Sequence, residues 1–561
     1  MKANFKKISA VLLGGLMGLS LVACGPKTVA PPVTGGTGDG TGGNQTQELK
    51  GKIVIALEWS GQDQQLVQAV IDAYETINPK VDIEYKAIPG DDYKSYLETP
   101  LSSDDLSSVP FDIVFNNRIP TFLNTKKFVD YSQYLYEENP YNNNQIWADT
   151  LDPSAYPATG SKGEVFRLSF QNTQVAFAYN KDITDAAGVD PAEFATWEGF
   201  VGACEKIAAA GYTPLALAGD MESFQGRQMA WMMNVYVDQY FRSVAETVHS
   251  QPQDYNYDER IDAVWEYTPY PTITDGMTQE EIDAAWKECY YNDNASVYTQ
   301  NELRLLKAIQ ENELGPINKK YQNLLANFAQ VMPKYTLPNF TSNDSPGMIA
   351  KFFNQNAAIT LQQVYYVYNQ HVQRGKPFNL QFFDFPAMSS NQDYPELAAY
   401  GPDVNYTRSY GGALGNFGIV NKNTEQTRLC IDFMKFWSSP QGQAADFAMR
   451  EALGAPLLNT PLVKGVEIPE SLLHGYQPLP FKGSPSSNPA LKFAIGLSGE
   501  SYSIAAYQRN ITALFETTPT YSNISSFASR MQNDIKTNMY YYLANRGYDP
   551  ECLLDVSANP F

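Results

Sequence analysis

Between Lys52 and Ala87 the hydrophobic period changes twice, and this short stretch restricts the fold more than any other part of the chain. Lys52 to Leu57 (KIVIAL) is a compact apolar run of strand type. From Gln62 to Asn78, Leu66, Ala69, Val70, Ala73, Tyr74 and Ile77 recur at helical spacing, and Asn78-Pro79 stops that helix. Val81 to Ala87 (VDIEYKA) alternates as a second strand. Pro110 to Phe115 reads as a third, breaking off into the polar Asn116-Asn117. Strands alternating with helices imply an α/β fold, a mostly parallel sheet with helices on both faces. Ligands of such sheets sit at the carboxyl ends of the strands. Trp59-Ser60 and Asn116-Asn117 therefore fall on a candidate rim.

A second set of elements starts near Val165. Tyr179 to Asp182 follows the apolar Val175 to Ala178. Thr196 is placed to cap a helix carrying Trp197, Phe200, Val201, Cys204 and Ile207, which ends at Gly211. Thr213 to Leu217 is a strand, and Gln225 to Val331 is mainly helical with a Tyr- and Asp-rich interruption at Gln251 to Tyr270. Phe417 to Val420 is strand-like. Thr424 is expected to cap a helix bearing Leu429, Phe433, Phe436 and the core residue Trp437, which ends at Ser439-Pro440. From Phe493 the tail is helical again. No internal repeat speaks for a solenoid or propeller. The body, about 510 residues, exceeds one ordinary hydrophobic core, so two lobes are expected.

The first residues read as a targeting segment. Lys2, Lys6 and Lys7 precede an apolar stretch from Ile8 to Val22, too short for a membrane span, and it ends in Leu21-Val22-Ala23-Cys24-Gly25. Small residues before such a cysteine follow the bacterial lipobox pattern. The thiol of Cys24 is expected to carry a diacylglycerol, with cleavage just before it. Gly25 to Glu48, rich in Gly, Thr and Pro, has no bulk to bury and acts as a tether. Its 24 residues span about 25–30 Å on average and reach about 80 Å when taut. The expected location is the outer face of a cell membrane, in a single-membrane bacterium.

Removing the three signal lysines from the 40 basic residues leaves 37 against 61 acidic, a net charge of −24. That argues against nucleic acid as a partner. Cys204, Cys289, Cys430 and Cys552 show no zinc spacing and leave one or two disulfides open. His249, His371 and His474 form no metal motif. Asp254-x-Asn256-x-Asp258 starts like a calcium loop, but Glu259 replaces the needed Gly and Trp265 the bidentate Glu, so a solvated turn is the preferred reading. Asp91-Asp92 and Asp104-Asp105 read as solvated loop acids. Neither a nucleophile motif nor a phosphate-cradling loop occurs. The expectation is a protein without cofactor, metal or catalytic residues.

The ordered motifs carry a resemblance. Lys52 to Ala87 with Phe111 to Val114 comes first, then Tyr179-Asn180-Lys181-Asp182-Ile183 with Ala187 to Pro191 and Thr196-Trp197. Asn356 to Leu361 is next, and last come Gly411-Gly412, Gly418 to Asn423, Phe436 to Gln441 and Gly454 to Pro456. The chain resembles the type 1 extracellular solute-binding proteins of ABC importers, the maltose-binding-protein-like group. It departs from them at Gln363-Val364-Tyr365, where the family has Gly-x-Trp, and in a longer, Tyr-rich stretch from Asp238 to Asn301.

The resemblance implies the periplasmic-binding-protein type II fold: two α/β lobes, a hinge crossed more than once, and solute trapped between the lobes. On that pattern the signal peptide is 1–23 and the lipidated cysteine with its tether 24–49. The first lobe is 50–172 with 409–465, and the second is 173–408 with 466–561. The closed form would dock on an ABC permease as a monomer held to the membrane by lipid.

The solute is expected to be a carbohydrate, an oligosaccharide in preference to a monosaccharide, because sugar sites pair aromatic platforms with amides and charged groups and the chain holds 37 Tyr and 7 Trp. Candidate contacts are Trp59, Asn116, Asn117, Gln171, Asn172, Trp231, Tyr365, Tyr366 and Tyr410. Tyr365 matches the family's stacking Trp, and Trp231 lies where the family often lines its cleft. Alternatives are a non-sugar solute, a ligand-loaded sensor docking on a receptor, and a lipid-anchored glycoside hydrolase.

Overall fold

The computed structural model describes residues 49–560 apart from 59–60, 124, 157–163, 292–296, 474–478, 480–481, 486–487, 498–500 and 546. Cys24, the tether to Glu48, Trp59 and His474 lie outside the described residues.

The chain forms strands β1 (Gly51–Leu57), β2 (Val81–Ala87), β3 (Ile113–Phe115), β4 (Glu138–Asn139), β5 (Gln145–Ile146) and β6 (Gln171–Asn180). They are followed by β7 (Leu215–Ala216), β8 (Ile359–Gln363), β9 (Leu380–Phe383), β10 (Tyr410–Leu414), β11 (Phe417–Ile419) and β12 (Thr460–Pro461). In the first sheet, ordered β11-β3-β1-β2, β1 runs parallel to β2 from Gly51↔Val81 to Leu57↔Ala87 and parallel to β3 at Ile55↔Ile113. β11 closes the edge antiparallel to β3. The crossover helix Gln62–Ile77 buries Leu66, Val67, Val70, Ile71 and Tyr74, whereas Ile77 in its last turn is 49% exposed.

The second sheet corrects the expectation of a mostly parallel arrangement. β6 pairs antiparallel with β8, β9, β10 and β12, and only β7 with β8 is parallel. The cause lies in the route of the chain. β6 enters from the first sheet and so runs against the strands that start within the second body. Residues 172–180 of β6 are buried on both faces, as a central strand requires.

Two large hydrophobic cores result, with smaller clusters around them. One gathers Ile53, Ile55, Phe115, Trp147, Leu168, Phe417, Trp437 and Val463. The other gathers Phe177, Trp197, Trp231, Tyr321, Phe515 and Ile535. Among the described residues, three hydrogen-bonded segments bridge the two large cores. Leu168 pairs with Phe417, and Leu151 with Val463, on the first side. On the second side, Gln171-Asn172 is flanked by Ala413-Leu414 and by Thr460-Pro461.

Local signals differ from the sequence reading in two places, and the cysteine state left open there is resolved. Asn423, not Thr424, caps the helix Thr424–Trp437, accepting from the Gln426 N–H, and Ser439 caps the next helix, Pro440–Leu453. Asp91 and Asp92 lie in the first turn of the helix Gly90–Leu101. Cys204, Cys289, Cys430 and Cys552 are buried thiols, not disulfides.

Candidate ligand-binding site

At the carboxyl ends of β1 and β3 the rim is tied together by Tyr93, whose hydroxyl accepts from Phe115 N–H at 2.7 Å and donates to the Ala56 carbonyl at 2.9 Å. Glu58, the residue after β1, takes Arg118 in a forked pair, with Nε at 3.1 Å and Nη2 at 2.9 Å from its carboxylate. Asn116 does not face solvent. It is fully buried, and its amide donates to the Phe166 carbonyl at 2.7 Å. To get there it passes over Gly418, where a Cβ would stand 2.4 Å from Asn116 Nδ2. Burial suits a residue that locks a strand end, and the exposed neighbour Asn117 is the part of this pair open to solvent.

Arg167 stands one residue before the first crossing. Its Nε is enclosed without a hydrogen-bond partner, and burial pulls the guanidinium below its usual range. The other partly or fully buried arginines have carboxylates: Arg118 with Glu58, Arg227 with Glu222, Arg242 and Arg408 with Asp238, Arg304 with Asp254, Arg450 with Asp446. Arg167 has no carboxylate partner among the described residues.

On the crossing segments, Gln171 Oε1 accepts from Asn459 Nδ2 at 3.2 Å. On the same segments Asn172 Oδ1, Thr173 Oγ1, Asn459 Oδ1 and Thr460 Oγ1 are enclosed with no partner among the described residues. Such groups are costly unless something else completes their hydrogen bonds. Next along β6, Val175 faces Tyr410, the first residue of β10. The Tyr410 ring lies 6.3 Å from Trp231 with a 32° interplanar angle, and burial pushes its hydroxyl up to about 12. Trp231 belongs to the helix Gln228–Tyr240, buried all round. Gln228 seats that helix, accepting from Ala218 N–H and donating to the Leu361 carbonyl, each at 2.6 Å.

Tyr365 and Tyr366 fall elsewhere. They open the helix Val364–Gln373, directly after β8. Tyr365 packs with Val364, Ala176 and Leu458, whereas Trp231 and Tyr410 pack with the core that holds Val175 and Phe177. Successive residues of a strand point to opposite faces, so β6 separates the two aromatic groups. Tyr366 is 37% exposed.

Sequence reading missed Glu58, Arg118, Arg167, Thr173, Asn459 and Thr460. Glu58 and Arg118 adjoin positions it nominated, but a pairing across 60 residues leaves no local trace. In the calcium-like loop both acids are engaged by arginines: Asp254 by Arg304 at 2.7 and 2.8 Å, Asp258 by Arg260 at 2.9 and 2.6 Å. Among the described residues no three His, Cys, Asp or Glu side chains converge on a metal site.

Two α/β bodies linked by paired crossing segments carry amides and hydroxyls at the junction and a tilted aromatic pair farther along β6, an arrangement able to hold a small solute. The class can be narrowed. The sequence profile of the bacterial extracellular solute-binding proteins matches residues 58–444, and the chain belongs to that family. It is thus an extracellular solute-binding protein of ABC-importer type, a family that binds small molecules and delivers them to ABC permeases.

The fold is similar to that of apo RafE from Streptococcus pneumoniae, at 12% identity over 87% of this chain and 97% of that one, with a TM-score of 0.50. It is also similar to a probable secreted solute-binding lipoprotein from Streptomyces coelicolor, at 13% identity over 86% and 98%, with a TM-score of 0.51. No curated protein matches the sequence. Among the described residues no helix is long and apolar enough to cross a membrane.

Proposed function

We propose that this chain captures an extracellular carbohydrate, an oligosaccharide in preference to a monosaccharide, between its lobes and hands it to a membrane permease. The carrying observation is the set of enclosed oxygens on Asn172, Thr173, Asn459 and Thr460, with no partner among the described residues, on and beside a strand that carries the Trp231–Tyr410 pair along one face and Tyr365 on the other. Sugars offer an apolar C–H face to a ring and hydroxyls to amides, so one ligand class answers both features. Gln171, Asn172, Trp231 and Tyr410 contact the solute on this reading. Asn117, Trp59, Tyr365 and Tyr366 extend the site for a longer chain. The lobes divide as 50–172 with 409–465 and 173–408 with 466–561, and lipid on Cys24 holds the protein at the outer membrane face.

A thermal-shift screen of residues 50–561 against oligosaccharides, with peptides and polyamines as controls, tests the reading. A ligand present at a hundredfold excess over its Kd stabilises the folded form by about 2.7 kcal/mol. A shift with one glycan family, and no cleavage of that glycan on chromatography, is the expected result. A shift with peptides or polyamines and none with sugars would overturn the carbohydrate assignment while leaving solute capture intact.

A further inference from the structure

Among the described residues a single ion pair joins the two lobes, and it does not belong to the crossing strands. Lys287 Nζ, on the helix Gln279–Tyr291, lies 3.5 Å from Asp152 Oδ2. Asp152 is part of the first lobe. Leu151 and Ala155 beside it are core residues, its N–H donates to the Leu462 carbonyl at 2.8 Å, and its Oδ1 caps the short helix Pro153–Ala155.

The helix of Lys287 is fixed to the second lobe. Trp286 and Tyr290 pack on Tyr406 at 5.3 and 5.5 Å, and the Arg242 guanidinium lies 5.3 Å from the Tyr406 ring. Arg242 in turn pairs with Asp238 at 2.6 Å, with both side chains buried. At the end of the helix the Tyr290 carbonyl sits 2.8 Å from where a Cβ on Gly483 would stand, and Gly483 has φ of 74°. A close approach at a left-handed residue is open only to glycine. The base of Lys287 is therefore held by packing, not by a loose loop.

Across the junction Lys464 donates to the Asp149 carbonyl at 2.8 Å. Its ammonium is pulled below the usual range, first by burial and then by the charge of Lys287, while Asp152 and Asp149 oppose the fall. The four side chains thus form one charged group spanning the lobes beside the crossing segments.

We propose that the helix Gln279–Tyr291, within the long Tyr-rich stretch, is a clasp that ties the lobes through Lys287 and Asp152 and sets how often they part. Rotation about the crossing segments by more than a few ångströms at this radius breaks a 3.5 Å pair, so the pair favours one lobe arrangement over others. Its weight is modest, because the Lys287 side chain is 50% exposed and that of Asp152 10%. The ratio of tied to parted molecules is expected to change about two- to fivefold when the pair is lost.

The test is an inter-lobe distance distribution by pulsed electron spin resonance on the ligand-free chain from residue 24. Spin labels go at Tyr136→Cys and Val372→Cys in a Cys24→Ser background, since the other thiols are buried. Lys287→Met and Asp152→Asn each lower the ratio of the wild-type distance peak to the remaining distances about two- to fivefold, and Lys287→Arg retains it. Raising NaCl in the unsubstituted labelled chain reproduces the depletion without any change at the clasp itself. A distance peak that is unmoved by both the substitutions and salt would overturn the clasp.

Discussion

Two glycines close to the lobe junction separate a packing constraint from a merely permissive position. At Gly418 a Cβ would meet Asn116 Nδ2 at 2.4 Å, Cγ at 2.8 Å and Cβ at 3.1 Å, and Asn116 is held in place by its bond to Phe166. At Gly412 nothing lies within 4 Å of the same atom. Gly418→Ala is expected to cost about 1–3 kcal/mol in chemical denaturation, while Gly412→Ala leaves stability unchanged or slightly raised. Equal effects at the two sites would mean that Asn116 swings aside freely. Arg167 tests the opposite case, a guanidinium pulled below its usual range by burial, with no carboxylate partner among the described residues. Arg167→Met should not lower the melting temperature, because no ion pair is broken and a desolvated cation is removed. If the guanidinium donates to the captured solute, the same change weakens binding by roughly tenfold or more. A fall in both stability and affinity would reveal a structural partner instead. Arg167 carries no signal in the sequence, and Gly418 shows only as part of a motif, because each owes its role to neighbours brought together by the fold.

At the level of elements, the helix Val364–Gln373 reports its packing through pH. His371 Nε2 donates to the Phe378 carbonyl at 2.7 Å, and the ring packs on Phe353 and Phe378. Burial pulls the imidazole below its ordinary 6.5, the carbonyl bond opposes that, and Lys376 adds to the fall. The folded state therefore prefers the neutral ring, while an unfolded chain takes up a proton near the ordinary value. Stability is full above about 6.5 and declines as the pH falls towards the lowered folded value. Melting curves at pH 7.5 and 5.0 should show a smaller acid loss in His371→Gln than in the native chain. His249, also pulled down by burial, leaves part of the loss in place. An identical loss would assign the acid sensitivity to other groups.

Elements with a clean period were legible. The opening strand, helix and strand stand where the apolar spacing puts them, and Thr196 caps its helix, accepting from Gly199 N–H. The second sheet was not, because strand direction depends on where the chain comes from. Residue spacing within β6 holds no record of that. Nor can an aromatic's spacing tell which face of β6 it will serve, and so Tyr365 and Tyr410 were read as one group although the strand divides them.

Over the whole molecule, charge acts at two ranges with opposite results. The full chain carries 61 acidic against 40 basic residues, so its folded body repels itself at low ionic strength. Most of the ion pairs lie on the surface and each contributes at most about 1 kcal/mol. Screening shortens the reach of both, from about 30 Å at 0.01 M salt to about 3 Å at 1 M. The unpaired acidic excess interacts over many long separations and loses most, so added NaCl should raise the melting temperature of the ligand-free protein. The Lys287–Asp152 pair is a short, half-exposed contact and the one ion pair among the described residues that joins the two lobes. Salt weakens it while each lobe keeps its own core. The same titration should therefore tighten the fold and loosen the lobes: calorimetry shows a rising melting temperature as the inter-lobe distance distribution broadens. A melting temperature that falls with salt would mean that local pairs outweigh the net repulsion. The acidic surface would then stabilise the fold through its partners, and the excess of carboxylates would no longer be the dominant electrostatic fact about this molecule.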